Sequence, residues 1–246
     1  NHDELDLGRL TGNQREAVFS AFGPEKDMQL YDRGIRRRLA PMLGGDIRRL
    51  KLAYSLMYSL PGTPVLRYGD EIGMGDNLSL PERNCARTPM QWSNEPQGGF
   101  TKGEKPVLPV ISEGPYGFEH VNVAFQRRES DSMLNWTERM IRMRKEAPEI
   151  GWGTSTVIDC KDPGVLIVRY EWRNNVVVII HNFHDKPVEI SFSLDDEGTS
   201  GLLIDILDGH DSQVTGTNEH HMVLEPYGFR WYRAGGLDYL LKRSEV

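Results

Sequence analysis

Residues 46–73 of the chain, DIRRLKLAYSLMYSLPGTPVLRYGDEIG, contain three structural signals in succession. Apolar residues recur at helical spacing from Ile47 to Leu60, Asp46 stands where an N-cap is expected, and Pro61-Gly62 ends the helix. Thr63–Tyr68 then has the length and apolar character of a buried strand, and a polar, glycine-rich loop follows it. This order predicts one αβ step of a parallel α/β fold, in which polar residues directly after a strand line the functional face.

Helical patterns also flank this stretch. They cover residues 13–22, 35–43 (followed by Gly44-Gly45) and 133–146. Residues 76–130 are long, rich in Pro, Gly and Asn, and without clear periodicity, but they carry several aromatic residues. A long loop of this kind is typical of a functional segment, and its aromatics argue against disorder.

After Gly151 the pattern changes to short β-branched runs separated by turn residues. The predicted strands are Thr156–Ile158, Val165–Trp172, Val176–Ile180, Val188–Phe192, Leu202–Ile206, Met222–Leu224 and Phe229–Tyr232. Evenly spaced short strands predict an antiparallel β-sandwich. We therefore expect two domains, residues 1–150 and residues 151–246, with the boundary near residue 150.

The composition narrows the classes of partner. The chain has 246 residues, of which 38% are hydrophobic and 26% charged, and a formal net charge of −7. A nucleic-acid-binding protein more often shows a concentrated basic face, so we expect no nucleic-acid partner. The strong basic cluster, Arg36-Arg37-Arg38, is flanked by Asp32 and Asp46 and predicts a solvated or salt-bridged face. No apolar run reaches the ~20 residues needed to cross a bilayer, so we expect no membrane partner.

Cys85 and Cys160 are far apart and have no metal-ligand spacing, which favours a reducing, cytoplasmic location over a disulfide framework. The chain starts at Asn1 rather than at a methionine, and its first residues do not resemble a signal peptide. We therefore expect the chain to be part of a longer protein.

Three motifs resemble the α-amylase superfamily, glycoside hydrolase family 13. They are Asn1-His2-Asp3, residues 61–73, and the hexapeptide Arg87-Thr88-Pro89-Met90-Gln91-Trp92. In that superfamily the first motif ends the seventh barrel strand, and residues 61–73 look like the eighth strand and its loop. The resemblance implies an α/β fold: the carboxy-terminal portion of a (β/α)8 TIM barrel, followed by an antiparallel β-sandwich domain.

The hexapeptide is similar to a signature of the oligo-1,6-glucosidase, sucrose-isomerase and trehalose-synthase branch. Residues 3–7, 28–45 and 134–136 narrow the resemblance to the trehalose synthases, retaining transglycosylases that interconvert maltose and trehalose. The resemblance implies that Asp3 stabilises the transition state and that His2 assists it. It also implies that His2, Asp3 and Arg87 bind the α-glucoside substrate, maltose or trehalose.

In this family the nucleophile and the acid/base lie on the fourth and fifth barrel strands, upstream of the Asn-His-Asp motif. A retaining enzyme needs both carboxyl groups, so we expect the isolated chain to be inactive. Asp70, Glu71, Asp131 and Asp195-Asp196 have no catalytic motif around them, and the resemblance makes Asp70 and Glu71 mostly architectural. We expect no metal ligands and no required cofactor in this chain; calcium in the full-length enzyme and an oligomeric state remain open.

Two alternatives remain. The same hexapeptide occurs in hydrolases of short α-glucosides, which use the same carboxylates. A non-catalytic sugar-binding module would instead use exposed Trp152, Trp172 or Trp231 in the carboxy-terminal region. His120, in the long loop, is a further candidate for a position near the site.

Overall fold

The computed structural model describes residues 4–194, 201–214 and 219–235. The chain forms two compact units. Unit 1 contains residues 1–50 and 65–138, and unit 2 contains residues 51–64 and 139–246. The first strand of the carboxy-terminal β region begins at Thr154. The boundary near residue 150 remains a prediction, because the compact units divide the chain at other positions.

Unit 1 begins with a small antiparallel sheet in the order β1-β3-β2, formed by Leu5–Asp6, Gly34–Ile35 and Gln29–Leu30 respectively. Helix α1, Gly12–Phe22, starts at a capping box in which Thr11 and Gln14 satisfy each other's backbone N–H groups. Leu7, Phe19 and Ile35 form a buried apolar cluster that joins this helix to the sheet.

The helix predicted over residues 35–43 was wrong at its start. Gly34–Ile35 pairs with both neighbouring strands of the small sheet, and helix α2 covers only Leu39–Met42. Tertiary strand pairing overrode the local helical pattern here. Gly44 and Gly45 both adopt positive φ, +67° and +72°, which is the conformation that ends a helix.

Helix α3, Ile47–Ser59, confirms the prediction for that stretch. Its N-cap is Asp46, whose Oδ1 accepts the Arg48 backbone N–H at 2.9 Å. The predicted strand Thr63–Tyr68 was wrong, since residues 63–67 form no strand in the structure. A strand is stabilised by hydrogen bonds to a neighbouring strand, and none of the described strands pairs with these residues.

The loop from residue 69 to residue 132 contains short helical turns. Three 3-10 turns cover Asp70–Ile72, Glu82–Ala86 and Pro96–Gly99, and α4 covers Val123–Gln126. Ile72, Met74, Met90 and Val123 form a second buried apolar cluster. The prediction of an ordered loop is therefore confirmed. Helices α5, Met133–Glu146, and α6, Pro148–Trp152, follow it.

The described residues of unit 2 form two antiparallel sheets. The six-stranded sheet has the order β4-β5-β6-β11-β8-β9, and the two-stranded sheet pairs β10 with β7. The strands are Thr154–Ile158 (β4), Val165–Trp172 (β5), Asn175–Asn182 (β6), Val188–Phe192 (β7), Leu202–Asp205 (β8), Ser212–Gln213 (β9), His220–Leu224 (β10) and Phe229–Ala234 (β11). All seven predicted strands of this region are present, and the two-residue strand β9 was missed.

The central strand β6 is buried on both faces. Val176, Val178 and Ile180 belong to an apolar cluster that includes Ile190 and Leu224 of the smaller sheet. On the opposite face, β-strand side chains reach helix α3: Tyr170 donates its hydroxyl hydrogen to the Ser59 carbonyl at 2.5 Å, and the Trp231 indole N–H donates to Ser55 Oγ at 2.9 Å. Burial on both sides explains why β6 is a continuous apolar run.

Both cysteines are free thiols in the structure. Cys85 is buried, and its thiol donates to the Arg36 carbonyl oxygen at 2.8 Å. In the described parts of the chain, no helix is both long and apolar enough to cross a membrane.

Candidate functional site

The hexapeptide at residues 87–92 is anchored by its inner residues. Thr88, Met90 and Gln91 are buried, and Gln91 Nε2 donates to the carbonyl oxygens of Tyr116 at 3.0 Å and Val121 at 2.5 Å. The backbone is held as well, because the Trp92 carbonyl accepts the Ala124 N–H at 2.9 Å. These bonds fix the hexapeptide, so the direction of its outer side chains is also fixed.

Four residues of the hexapeptide line a cleft in unit 1 with a volume of about 720 Å³. Arg87, Pro89, Met90 and Trp92 form one part of its lining. The remaining lining residues are Tyr68, Glu71, Phe100, Thr101, Lys105, Pro106, Val107 and Leu108. Trp92 is 48% exposed. A mostly apolar cleft with a few charged groups is typical of a small-molecule site.

The loop that follows residue 67 supplies another part of the lining, through Tyr68 and Glu71. Gly69 and Gly73 flank the 3-10 turn of residues 70–72 with φ of +87° and +68°, a conformation that favours glycine. Tyr68 donates its hydroxyl hydrogen to the Thr88 carbonyl at 2.9 Å. The loop and the hexapeptide are thus joined directly.

The charged side chains around this loop differ in their partners: one forms an ion pair, and burial shifts the pKa of two others. Asp70 Oδ1 accepts from Arg38 Nη1 at 3.0 Å. Burial raises the pKa of Glu71, and the neighbouring charge of Asp70 adds to that increase. Glu71 Oε2 is buried without a hydrogen-bond partner in the described parts of the chain. Burial, together with the charge of Arg38, lowers the pKa of Arg67. Burial therefore disfavours the charged form of the Glu71 carboxyl group relative to that of an exposed glutamate.

Of the predicted substrate-binding residues, Arg87 lies within the described part of the chain, and His2 and Asp3 do not. Arg87 lines the cleft, and its predicted role in substrate binding stays a prediction. His2 and Asp3 lie outside the described residues, as do Asp195 and Asp196. Their predicted roles remain predictions.

His120 is not brought to the Arg87 cleft. It lines a separate cleft of unit 1, of about 530 Å³, together with Asp131 and Glu129. The prediction that His120 lies near the same site is not supported by this arrangement, because the two clefts share no lining residue.

Sequence reasoning gave Glu71 only an architectural role and did not single out Tyr68 or Phe100. Tyr68 and Glu71 directly follow the predicted strand, and that position was the available signal. Phe100 and Val107 lie in a stretch without periodicity, so only the fold brings them to the cleft.

The three tryptophans that a sugar-binding module would use differ in their exposure to solvent. Trp231 is fully buried, whereas Trp152 is 78% exposed. Trp172 is partly buried, and the Arg173 guanidinium lies 4.3 Å from the centre of its ring. Trp152 is therefore the residue of the three that is most available to an external ligand.

The acidic residues do not form a metal site in the described ranges. Among residues 4–194, 201–214 and 219–235, no group of three or more His, Cys, Asp or Glu side chains is arranged to hold a metal ion.

Two family models match the chain. Residues 33–153 match the α-amylase catalytic domain, and residues 175–233 match the sucrose hydrolase-like C-terminal domain. The first match contains the whole loop and the hexapeptide that line the cleft.

The chain is similar to curated trehalose synthases along nearly its whole length. It is 37% identical to the trehalose synthase of Thermus thermophilus over 93% of the chain, and 35% identical to that of a Pimelobacter strain over 95%. It is 34% identical to a trehalose synthase/amylase of Mycolicibacterium smegmatis, again over 95%. The chain spans 24% of the first relative and 41% of the other two.

Solved structures show the same fold. An α-amylase from H. orenii matches 81% of the chain with a TM-score of 0.63 and 26% identity, and the chain covers 38% of that protein. A trehalulose synthase from Pseudomonas mesoacidophila matches 81% of the chain with a TM-score of 0.62 and 21% identity, and the chain covers 41% of it. The chain belongs to the α-amylase superfamily, and trehalose synthases are among its relatives.

Proposed function

We propose that this chain supplies part of the sugar-binding cleft of a retaining α-glucoside transglycosylase that interconverts maltose and trehalose. The observation that carries the proposal is the convergence of Arg87 and Trp92 with Tyr68 and Glu71 in one cleft. The names of the relatives that cover 93–95% of the chain support the choice of reaction.

The side chains of this cleft suit a sugar. A guanidinium group such as that of Arg87 donates to two hydroxyl groups at once, and the face of Trp92 can stack on the apolar face of a pyranose ring. The carboxyl group of Glu71, which also lines the cleft, can accept hydrogen bonds from sugar hydroxyl groups. Hydrogen-bond donors, an acceptor and an aromatic face together suit a polyhydroxylated ligand.

In the proposed enzyme, Asp3 and His2 hold hydroxyl groups of the reacting glucose. Those hydrogen bonds strengthen as the oxocarbenium-like transition state forms. The nucleophile and the acid/base are proposed to come from polypeptide outside these 246 residues. Transfer between the two glucose units requires a cleft that excludes water, because water would hydrolyse the covalent intermediate.

The test is a product analysis by proton NMR. The pure 246-residue chain is incubated with maltose, and so is a longer protein that contains this chain. The longer protein should form trehalose as its main product, and the chain alone should form neither trehalose nor glucose. Free glucose as the main product of the longer protein would indicate a hydrolase, and trehalose formation by the chain alone would contradict the proposed division of the catalytic groups.

A further inference from the structure

The arginine run at residues 36–38 is not a solvated face. Arg36 and Arg38 are buried, and the side chain of Arg37 is only 15% exposed. Arg37 Nε and the Arg38 backbone N–H both donate to Asp76 Oδ2, at 3.2 and 3.0 Å. The prediction of a solvated face was wrong; the salt-bridged alternative holds for Arg37 and Arg38, although with Asp76 and Asp70 rather than Asp32 and Asp46.

Together the three arginines hold the segment that leads to the hexapeptide. The Arg36 guanidinium donates to four carbonyl oxygens, those of Asp27 at 2.5 Å, Leu78 at 2.6 Å, Leu80 at 3.0 Å and Glu82 at 2.9 Å. Arg37 forms an ion pair with Asp76. Arg38 contacts Tyr68 and Asp70, which lie earlier in the same segment. Residues 68–82 are therefore attached at several points along their length.

Arg38 makes the contacts that concern the cleft. Its Nη1 donates to the Tyr68 carbonyl at 2.9 Å and to Asp70 Oδ1 at 3.0 Å. Its guanidinium carbon lies 5.3 Å from the centre of the Tyr68 ring. Tyr68 in turn donates to the Thr88 carbonyl oxygen. The buried Arg38 side chain is therefore connected to the hexapeptide through Tyr68.

A contribution to the stability of the fold does not by itself explain why an arginine occupies position 38. The side chain is completely buried, yet its Nε and Nη2 atoms have no hydrogen-bond acceptor within the described residues. A buried charge with unmet donors costs free energy, and an apolar side chain of similar size often stabilises a core at least as well. The geometry that this arginine imposes on its neighbours is the better explanation.

We propose that Arg38 is a positioning residue for the sugar cleft: it fixes Tyr68 and the turn at residues 70–72, so that Tyr68 and Glu71 line the same cleft as Arg87. The role in sugar binding rests on the proposed function. The role in holding the loop does not, and it can be measured without any ligand.

Gly69 provides an independent sign of this close fit. A Cβ atom at Gly69 would lie 3.1 Å from Arg38 Nη1 and would overlap Met74 Sδ, in a backbone conformation with φ of +87°. A side chain at this position would therefore require Met74 and Arg38 to shift. Gly69→Ala should disturb the same part of the cleft as a substitution of Arg38 does.

The test compares Arg38→Lys with Arg48→Lys in the full 246-residue chain. Lysine keeps the positive charge but cannot make both hydrogen bonds and stack on the Tyr68 ring. Arg48 is the matched control, because its side chain is 60% exposed and pairs with Asp46. Amide hydrogen exchange of residues 68–74 and the affinity for maltose, measured by calorimetry, are compared with the thermal midpoint of each variant.

Arg38→Lys should raise the exchange rate of residues 68–74 by about tenfold or more and weaken maltose binding by a similar factor, with amides of unit 2 unaffected. Arg48→Lys should change neither quantity. Unchanged exchange and affinity in Arg38→Lys would overturn the proposal, and so would an equal loss of protection across the whole of unit 1. If the unsubstituted chain does not bind maltose, the proposed function fails, and the exchange measurement alone then decides whether Arg38 holds the loop.

Discussion

The hydroxyl group of Tyr68 donates to the carbonyl oxygen of Thr88 at 2.9 Å. This bond connects the glycine-rich loop after residue 67 to the hexapeptide at residues 87–92. The two bonded residues lie 20 positions apart in the sequence. Thr88 is fully buried and Tyr68 is 39% exposed, so the acceptor end of the bond is shielded from water. It makes the two parts of the cleft lining one connected structure.

Tyr68→Phe should therefore loosen the cleft. Removing the hydroxyl group leaves the Thr88 carbonyl without this donor, which should cost about 1 kcal/mol in the free energy of unfolding. Urea unfolding measures that change. Tyr31→Phe is the control, since Tyr31 is 49% exposed and its ring lies beside Arg83 rather than in the cleft. Equal stability of the Tyr68→Phe variant and the unsubstituted chain would show that the bond contributes nothing.

Sugar binding should depend on the outer residues of the hexapeptide. Trp92→Ala removes the stacking face, and Arg87→Lys removes the two-pronged donor, so each should weaken maltose binding by about tenfold. Titration calorimetry measures both affinities. Trp152→Ala is the matched control, because this 78%-exposed tryptophan belongs to unit 2. A loss of affinity in Trp152→Ala but not in Trp92→Ala would favour the sugar-binding-module alternative.

His181 should make unit 2 sensitive to acid. Its Nε2 lies 3.0 Å from Ser55 Oγ, which also accepts from Trp231, and burial lowers the pKa of His181 to about 4. Below pH 6.5 the unfolded chain binds a proton at this histidine and the folded chain does not. The free energy of unfolding should therefore fall by about 3 kcal/mol as the pH falls from 6.5 to 4.

Urea unfolding at several pH values tests this expectation. His181→Gln should flatten the dependence on pH between 4 and 6.5 relative to the unsubstituted chain. If the variant and the unsubstituted chain keep the same slope, the acid sensitivity comes from other groups.

Gln91 should not tolerate replacement by a side chain that can accept hydrogen bonds but cannot donate them. Its Nε2 donates to two carbonyl oxygens, and the residue is fully buried. Gln91→Glu places a carboxyl group against both carbonyls and should destabilise the fold by about 3 kcal/mol in urea unfolding at pH 7, more than Gln91→Leu. The same change at exposed Gln213 should have little effect. Comparable stability of the two glutamate variants would contradict the anchoring role of Gln91.

Much of the secondary structure could be predicted because its signals are local. Helices α3 and α5 and strands β5 and β7 carry their own periodicity and are ended by Pro, Gly or Asn residues nearby. The segment at residues 63–68 has the composition of a strand, but a strand also needs a hydrogen-bonded neighbour. No local pattern shows whether such a neighbour is present.

The site was less predictable, since its contacts join distant residues. The hexapeptide indicated Arg87, but nothing around Arg38 in the sequence indicates that it contacts Tyr68 and Asp70, which lie 30 and 32 positions away. A run of arginines most often indicates a solvated face. Only the fold shows that these three lie among carbonyl oxygens and aspartates.

The most direct test of the cleft is a maltose titration followed by NMR of the five tryptophan indole N–H groups. Trp92 is the one tryptophan that lines the cleft, so its indole signal should shift with increasing maltose, and the shift should saturate. The signals of Trp136, Trp152, Trp172 and Trp231 should stay in place. A saturable shift of Trp152 or Trp172 with Trp92 unmoved, or no shift at all, would contradict the assignment of this cleft as the sugar site.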